Sequence, residues 1–116
     1  MQLLSYLQKA SDDGASDIFI VPGAPVSYKV EGLLKPMEDQ RLNPERSENL
    51  IREIYHAAQR DMTAYNATGD DDFSFSVPGL ARFRVNTYRQ RGSQAAVIRV
   101  VAFSVPNWKE LGIPSQ

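Results

Sequence analysis

The spacing of hydrophobic residues at the start of the chain predicts one helix followed by three short strands. Over residues 2–13, apolar side chains recur at helical spacing, at Leu3, Leu4, Leu7 and Ala10. Gly14 is suited to end this helix because glycine adopts the left-handed conformation without strain. Segments rich in β-branched and aromatic residues, or alternating apolar with polar ones, then predict strands over residues 17–21, 26–30 and 33–37.

A second helix is predicted to begin at the segment Asn43-Pro44-Glu45. Asparagine caps a helix with its side chain, proline fits the first turn, and an acidic residue there interacts favourably with the helix dipole. An apolar stripe follows at helical spacing, formed by Leu50, Ile51, Ile54, Tyr55 and Ala58. A shorter helical segment is predicted over residues 60–66, with Gly69 closing it.

The last third of the chain predicts an antiparallel meander of three strands, centred on residues 73–77, 82–86 and 95–101. The turns fall at Pro78-Gly79 and at Gly92. One helical turn is predicted over Trp108–Leu111. The complete order is one helix, three strands, helices and three more strands. This order predicts an α+β domain in which helices pack on an antiparallel sheet of about six strands.

Composition fits a single folded domain and excludes several kinds of site. The chain has 116 residues, 42% of them hydrophobic, which is enough for one core. There is no cysteine, so a disulfide scaffold, a thiolate metal site and a cysteine nucleophile are excluded. Neither a signal peptide nor a membrane-spanning segment is recognisable, which makes a cytoplasmic location the expectation.

The net charge of −1 conceals two oppositely charged parts of the chain. Residues 1–72 carry 7 basic and 13 acidic side chains, a net charge of −6, and end in the acidic run Asp70-Asp71-Asp72. Residues 73–116 carry 6 basic and 1 acidic side chain, a net charge of +5. Two interpretations stay open. The two surfaces attract each other, or the basic part meets an anion such as phosphate or nucleic acid.

No catalytic or metal-binding set is recognisable in the sequence. His56, the single histidine, lies inside a predicted helix without an evident partner that would make it a useful base. The carboxylates of residues 70–72 cannot all converge on one cation, because consecutive strand residues point to opposite faces, and a solvated run capping a strand is the expected structure. The glycine-rich phosphate loop with its lysine is also missing, so hydrolysis of ATP by this segment alone is not expected.

The most informative element is a basic hairpin that runs from Arg82 to Gly92 and is followed by Arg99. Alternation along the strand places Arg82, Arg84, Asn86 and Tyr88 on one face. Adjacent like charges repel unless each guanidinium has a carboxylate or phosphate partner. The residues alone slightly favour ion pairs with the acidic run at 70–72 or with acidic helices. Arginines interleaved with aromatic residues also suit single-stranded nucleic acid, but the acidic balance and the lack of an RNA-binding signature argue against it.

Several motifs, in order and spaced over nearly the whole chain, resemble the amino-terminal domain of the PilT family of twitching-motility ATPases, in the secretion ATPase superfamily. The matching segments are residues 14–18 (GASDI), Gly32-Leu33-Leu34, residues 72–79 (DFSFSVPG), 82–86 (RFRVN), 90–93 (QRGS), 95–99 (AAVIR) and 111–114 (LGIP). The stretch from Arg82 to Arg99 reads closest to the pilus retraction branch. At Phe19 the chain departs from the family, which usually has histidine there, so a packing role is expected.

The resemblance implies a PAS-like fold over residues 1–111, with residues 112–116 starting a linker to a RecA-like ATPase domain that carries the Walker motifs. It implies a regulatory and oligomerisation domain that closes over ATP and Mg²⁺ bound mainly by that motor domain, within a homo-hexamer. It further implies an inner-membrane pilus platform protein as a partner and no nucleic acid. The implied phosphate contacts are Arg84 and Arg99, with Arg82, Arg89 and Arg91 as weaker candidates. The alternative is a stand-alone PAS-like domain that senses a ligand or binds a protein.

Overall fold

A computed structural model gives the structure of residues 2–101, which form an α+β domain. The helices are α1 (Gln2–Asp12), α2 (Pro44–Ala58) and α3 (Thr63–Thr68). The strands are β1 (Asp17–Ile20), β2 (Ser27–Val30), β3 (Leu33–Pro36), β4 (Asp70–Val77), β5 (Ala81–Gln90) and β6 (Ser93–Val101). These elements confirm the predicted order. The helical turn predicted at Trp108–Leu111 and the segment 112–116 lie outside the described residues.

All six strands join one antiparallel sheet in the order β3-β2-β1-β6-β5-β4. The first three strands and the predicted meander are therefore separate halves of the sheet. They meet where β1 pairs with β6, with Ile18 opposite Ile98. The long β4–β5–β6 meander arises from the alternation of apolar and polar residues, and its two turns contain Gly79 and Gly92, both with φ +80°. The α+β fold class with helices packed on the sheet is confirmed.

The core lies between the helices and one face of the sheet. It contains fully buried side chains from every layer, among them Leu3 and Leu7 of α1, Ile51 and Ile54 of α2, Tyr65 of α3, and Ile18, Phe83 and Ile98 of the sheet. Because every second strand residue faces the helices, the alternate residues face outward. The burial of Phe83 and Val85 thus determines that Arg82 and Arg84 point to the outer face.

The predicted start of α2 is confirmed in detail. The Asn43 side chain accepts a hydrogen bond from the backbone N–H of Arg46 at 2.8 Å, and Pro44 opens the helix. At the other end, Gln59 adopts the left-handed conformation with φ 54° and caps the last turn. Gly69, with φ +78°, ends α3 as expected, although that helix runs over residues 63–68 and not over 60–66.

The apolar face predicted for α1 was partly wrong. Leu4 is 46% exposed, and Tyr6 occupies the buried position instead. The Tyr6 hydroxyl donates a hydrogen bond of 2.7 Å to Glu38, and Arg46 contacts both groups. Burial, reinforced by the bond to Glu38, raises the pKa of the Tyr6 hydroxyl to about 12. The Tyr6 ring can be buried because its hydroxyl group forms hydrogen bonds with Glu38 and Arg46. The pattern of hydrophobic residues alone does not predict this burial.

The acidic run does not cap a strand but forms the first three residues of β4. Its middle carboxylate, Asp71, faces the helices and is only 7% exposed. Arg60 donates two hydrogen bonds to it, at 3.0 and 2.9 Å, and the Tyr55 hydroxyl donates one at 2.8 Å. The bonds from Arg60 hold the pKa of Asp71 below its usual range. Asp71 therefore links β4, an edge strand of the sheet, to Tyr55 of α2 and to Arg60.

This ion pair predicts an acid-sensitive contribution to stability. Because the pKa of Asp71 is lower in the folded than in the unfolded chain, the contribution is complete above about pH 4 and is lost as pH falls through the folded-state pKa. We expect Asp71→Asn to lower the free energy of unfolding by about 1–3 kcal/mol at pH 7 and by clearly less near pH 2. Urea unfolding at both pH values measures this, with Asp72→Asn as the exposed neighbouring control. Equal losses at the two pH values would contradict the role of the Asp71 charge.

Within residues 2–101, no helix combines the length and the apolar character needed to cross a membrane.

Candidate functional site

The outer face of β5 and β6 displays the arginines that the sequence singled out. Arg82, Arg84 and Asn86 are exposed, and the residues between them are buried, so the predicted alternation is confirmed. Arg99, on the neighbouring strand, is exposed on the same side. We call Arg82, Arg84 and Arg99 the basic face. It lies on the side of the sheet opposite to the helical layer.

Strand register places the charges of the basic face in a row across the sheet. Arg84 of β5 lies directly opposite Arg99 of β6, and Arg99 lies opposite Asp17 of β1. Lys29 of β2 and Ser74 of β4 continue the row at its two ends. Two guanidinium groups opposite each other on adjacent strands repel, which costs stability unless an anion compensates them. This row therefore concentrates positive charge on the outer face of the sheet, at Arg84 and Arg99.

The internal ion pairs leave part of the basic face uncompensated. Arg99 Nε lies 3.7 Å from the Asp17 carboxylate, and this pair is mostly exposed on the arginine side. Within residues 2–101, Arg82 and Arg84 have no carboxylate oxygen within 4.0 Å. In this described part of the chain, the ion pairs predicted between the hairpin and the acidic run do not form. Asp71 faces the other side of the sheet and pairs with Arg60, whereas Asp70 accepts a hydrogen bond from the Asn86 amide at 3.3 Å and Asp72 lines the grooves beside Arg84.

Two adjoining surface grooves lie along the basic face. One, of about 450 Å³, is lined by Asp72, Phe73, Ser74, Arg82, Arg84 and Val101. The other, of about 400 Å³, is lined by Asp17, Asp72, Arg84, Val85, Asn86, Val97 and Arg99. Arg84 and Asp72 belong to both grooves, so Arg84 is the central cation of the site. Arginine forks, an amide and a serine hydroxyl are all groups that bind phosphate oxygens.

The structure separates two of the three weaker arginine candidates, Arg89 and Arg91, from the basic face. Arg89 faces the helical side, where its guanidinium lies 5.1 Å from the centre of the Tyr65 ring. Arg91 lies in the turn between β5 and β6, with φ 53°. It is seven residues beyond Arg84, roughly 23 Å along an extended strand. Neither side chain therefore belongs to the grooves that Arg84 lines.

Sequence reasoning missed one member of the site, Asp17. The outward direction of Asp17 follows from the inward burial of Ile18 and Ile20, but its contact with Arg99 depends on the pairing of β1 with β6. That pairing joins residues some 80 positions apart, and no local pattern predicts it. Phe19 also lies on the outer face, half-buried and opposite Val97, which is consistent with the packing role expected where the family has histidine.

The single histidine is not part of the basic face. His56 is exposed on α2, on the other side of the sheet. Among residues 2–101, no three histidine or acidic side chains are grouped to hold a metal ion. The functional groups of the basic face are therefore guanidinium groups, which pair with negatively charged groups.

The fold and the order of the motifs are similar to those of the amino-terminal part of pilus ATPases. No family model matches the sequence. Two relatives from Pseudomonas aeruginosa are the type IV pilus ATPase PilU, 32% identical over 114 residues, and the type IV pilus retraction ATPase PilT, 34% identical over 114 residues. A crystal structure of the pilus retraction motor PilT with bound ADP superposes with a TM-score of 0.75 and 37% identity. The chain is thus homologous to the amino-terminal domain of PilT-like ATPases, which confirms the resemblance read from its motifs.

The similarity extends over nearly all of this chain but over a minor part of its relatives. The match covers 98% of the chain and 29% of PilU, 97% of the chain and 32% of PilT, and 97% of the chain and 32% of the PilT crystal structure. The chain therefore spans about a third of the length of the ATPases that it matches.

Proposed function

We propose that this chain is the regulatory and oligomerisation domain of a type IV pilus retraction ATPase, and that it closes over ATP held mainly by a RecA-like motor domain. The observation that carries the proposal is the basic face. Arg84 lies in the middle of a groove-lined sheet surface with no carboxylate partner among residues 2–101. Such an arginine is available to a phosphate group supplied from outside the domain.

Arg84 and Arg99 are the proposed phosphate contacts, and Arg82 extends the same face. Guanidinium groups held beside the transferred phosphoryl group stabilise the negative charge that develops there, as arginine fingers do. Movement of the domain against the motor domain would bring these groups to the nucleotide or withdraw them, so that each round of hydrolysis drives a rigid-body motion. In this role Mg²⁺ and ATP are bound by the motor domain and not by this chain alone.

The proposed setting follows that of the homologous ATPases. The partners are the RecA-like domain, neighbouring subunits of a homo-hexamer and a platform protein of the pilus machinery in the inner membrane. The location is the cytoplasmic face of that membrane. The names of the relatives, a type IV pilus ATPase and a type IV pilus retraction ATPase, support this setting. The exposed, highly charged outer face also suits a domain that works against another protein surface.

The proposal is tested with the product of the complete gene, with this chain alone and with a gene product lacking residues 1–111. The complete product is expected to form hexamers and to hydrolyse ATP with Mg²⁺. This chain alone is expected to show no hydrolysis above background, because it carries no phosphate loop. The shortened product is expected to lose both hexamers and most of the activity. Light scattering and phosphate release measure the outcomes, and full activity of the shortened product would contradict the regulatory role.

A further inference from the structure

The carboxylate of Asp17 is held in a fixed position beside the basic face. Its Oδ2 atom accepts a hydrogen bond from the Ser16 hydroxyl at 2.7 Å, and its Oδ1 atom lies 3.7 Å from Arg99 Nε. The Asp17 side chain is 17% exposed, whereas the Arg99 side chain is 71% exposed. The anion of this pair is therefore anchored at the start of β1, while most of the cation lies in solvent.

Arg99 stands between two groups of opposite charge. On one side it faces the Asp17 carboxylate, and on the other it lies opposite Arg84, which repels it. Both forces favour a position of the Arg99 guanidinium beside Asp17, which lines the same groove as the two arginines. A phosphate group held between Arg84 and Arg99 would share Arg99 with the Asp17 carboxylate, and the two anions would repel each other.

Weakening the contact between Arg99 and Asp17 costs little free energy, and binding of a suitable anion to Arg99 favours this change. An exposed ion pair with its atoms near 4 Å apart contributes little to stability, because water screens the charges. A terminal phosphate presents more charge and up to three oxygens, and it accepts paired hydrogen bonds from an arginine fork. A phosphate group that binds both Arg84 and Arg99 can therefore outcompete the Asp17 carboxylate for Arg99.

We infer that the Asp17 carboxylate competes with phosphate for Arg99 and so lowers the affinity of the basic face for phosphate. Asp17 is thus a positioning residue, acting through Arg99 and not by contact with the ligand. The inference rests on the proposed function, since it regulates the same arginine site. Its consequence is that Asp17 offsets part of the charge of Arg99 when no phosphate is present. Once phosphate is bound, the same carboxylate favours its release.

The test is a titration of this chain with inorganic tripolyphosphate at low ionic strength, followed by calorimetry or by NMR of the arginine side chains. Asp17→Asn keeps a hydrogen-bond acceptor for Ser16 but removes the charge. It is expected to tighten binding about twofold to fivefold, the effect of one exposed ion pair of measurable strength. Asp12→Asn removes the same charge from an exposed residue of α1 that lines neither groove, and it is expected to leave the affinity almost unchanged.

A double-mutant cycle separates competition for Arg99 from a general change of charge. In an Arg99→Ala background, Asp17→Asn is expected to have almost no effect on affinity, because the arginine for which Asp17 and phosphate compete is no longer present. An equal gain from Asp17→Asn with and without Arg99, or an equal gain from Asp12→Asn and Asp17→Asn, would overturn the inference. Asp17→Ser replaces Asp17→Asn if the latter shifts the melting temperature.

The outcome for Arg84 distinguishes failure of this inference from failure of the proposed function. If Arg84→Ala abolishes tripolyphosphate binding while Asp17→Asn leaves affinity unchanged, the phosphate site stands and the competing carboxylate is wrong. If tripolyphosphate does not bind the chain at all, or binds equally well to Arg84→Ala, the basic face is not a phosphate site, and both conclusions fall.

Discussion

Replacing Arg84 by alanine in the complete ATPase is expected to lower kcat by on the order of 10²–10³, the effect of removing one preorganised donor from a developing negative charge. Arg84 is the central cation of two grooves, and within residues 2–101 no internal carboxylate neutralises it. Arg99→Ala is expected to act in the same direction but less strongly, because Asp17 already shares its charge. Steady-state hydrolysis with saturating ATP and Mg²⁺ measures both effects.

Two further variants show whether the loss comes from the arginine fork at this place. Arg84→Lys keeps the charge but loses the paired hydrogen bonds, and it is expected to restore only part of the activity. Arg52→Ala removes an exposed arginine of α2 that pairs with Glu48, and it is expected to leave hydrolysis unchanged. The melting temperature of Arg84→Ala is expected to match that of the unaltered chain, because the residue is exposed. Normal hydrolysis by Arg84→Ala would show that the arginine has no part in the reaction.

Phe83→Ala is expected to destabilise the domain by about 3–5 kcal/mol, the cost of emptying a buried aromatic site. Phe83 is fully buried, and its ring centre lies 5.4 Å from that of Phe75 on the neighbouring strand. Domains of this size are stable by only about 5–15 kcal/mol, so the variant is expected to lose a large share of the free energy of unfolding. Urea unfolding followed by circular dichroism gives the free energy directly.

Phe19→Ala is the matched control for this loss. It removes the same side chain from the same sheet, but from the outer face, where Phe19 is half-buried. Its cost is expected to be clearly smaller, because less apolar surface returns to water. If both substitutions lower the free energy of unfolding by the same amount, the face of the sheet that carries Phe83 would not be the core face.

The elements with a local physical cause could be predicted from the sequence. Asn43 and Pro44 specify where α2 begins because their chemistry acts within one helical turn. The alternation around Phe83 specifies which arginines face outward, because the period of a strand is two residues. For the same reason, the face on which Arg84 lies follows from the order of residues in β5.

The features that depend on distant contacts could not be predicted. The pairing of β1 with β6 brings Asp17 to Arg99, and it is determined by how both halves of the sheet bury their inner faces together. The direction of Asp71 and its ion pair with Arg60 depend in the same way on where α2 lies. At Tyr6, burial depends on Glu38 and Arg46, which satisfy its hydroxyl from another part of the chain.

The central position of β6 has a mechanical consequence. Because β6 pairs with β1 on one side and with β5 on the other, a pull along its axis loads two hydrogen-bond ladders at once. In this shear geometry the bonds share the load, whereas an edge strand that is peeled sideways loses its bonds one after another. A force applied along β6 is therefore expected to meet more resistance than the same force applied across the edge strand β4.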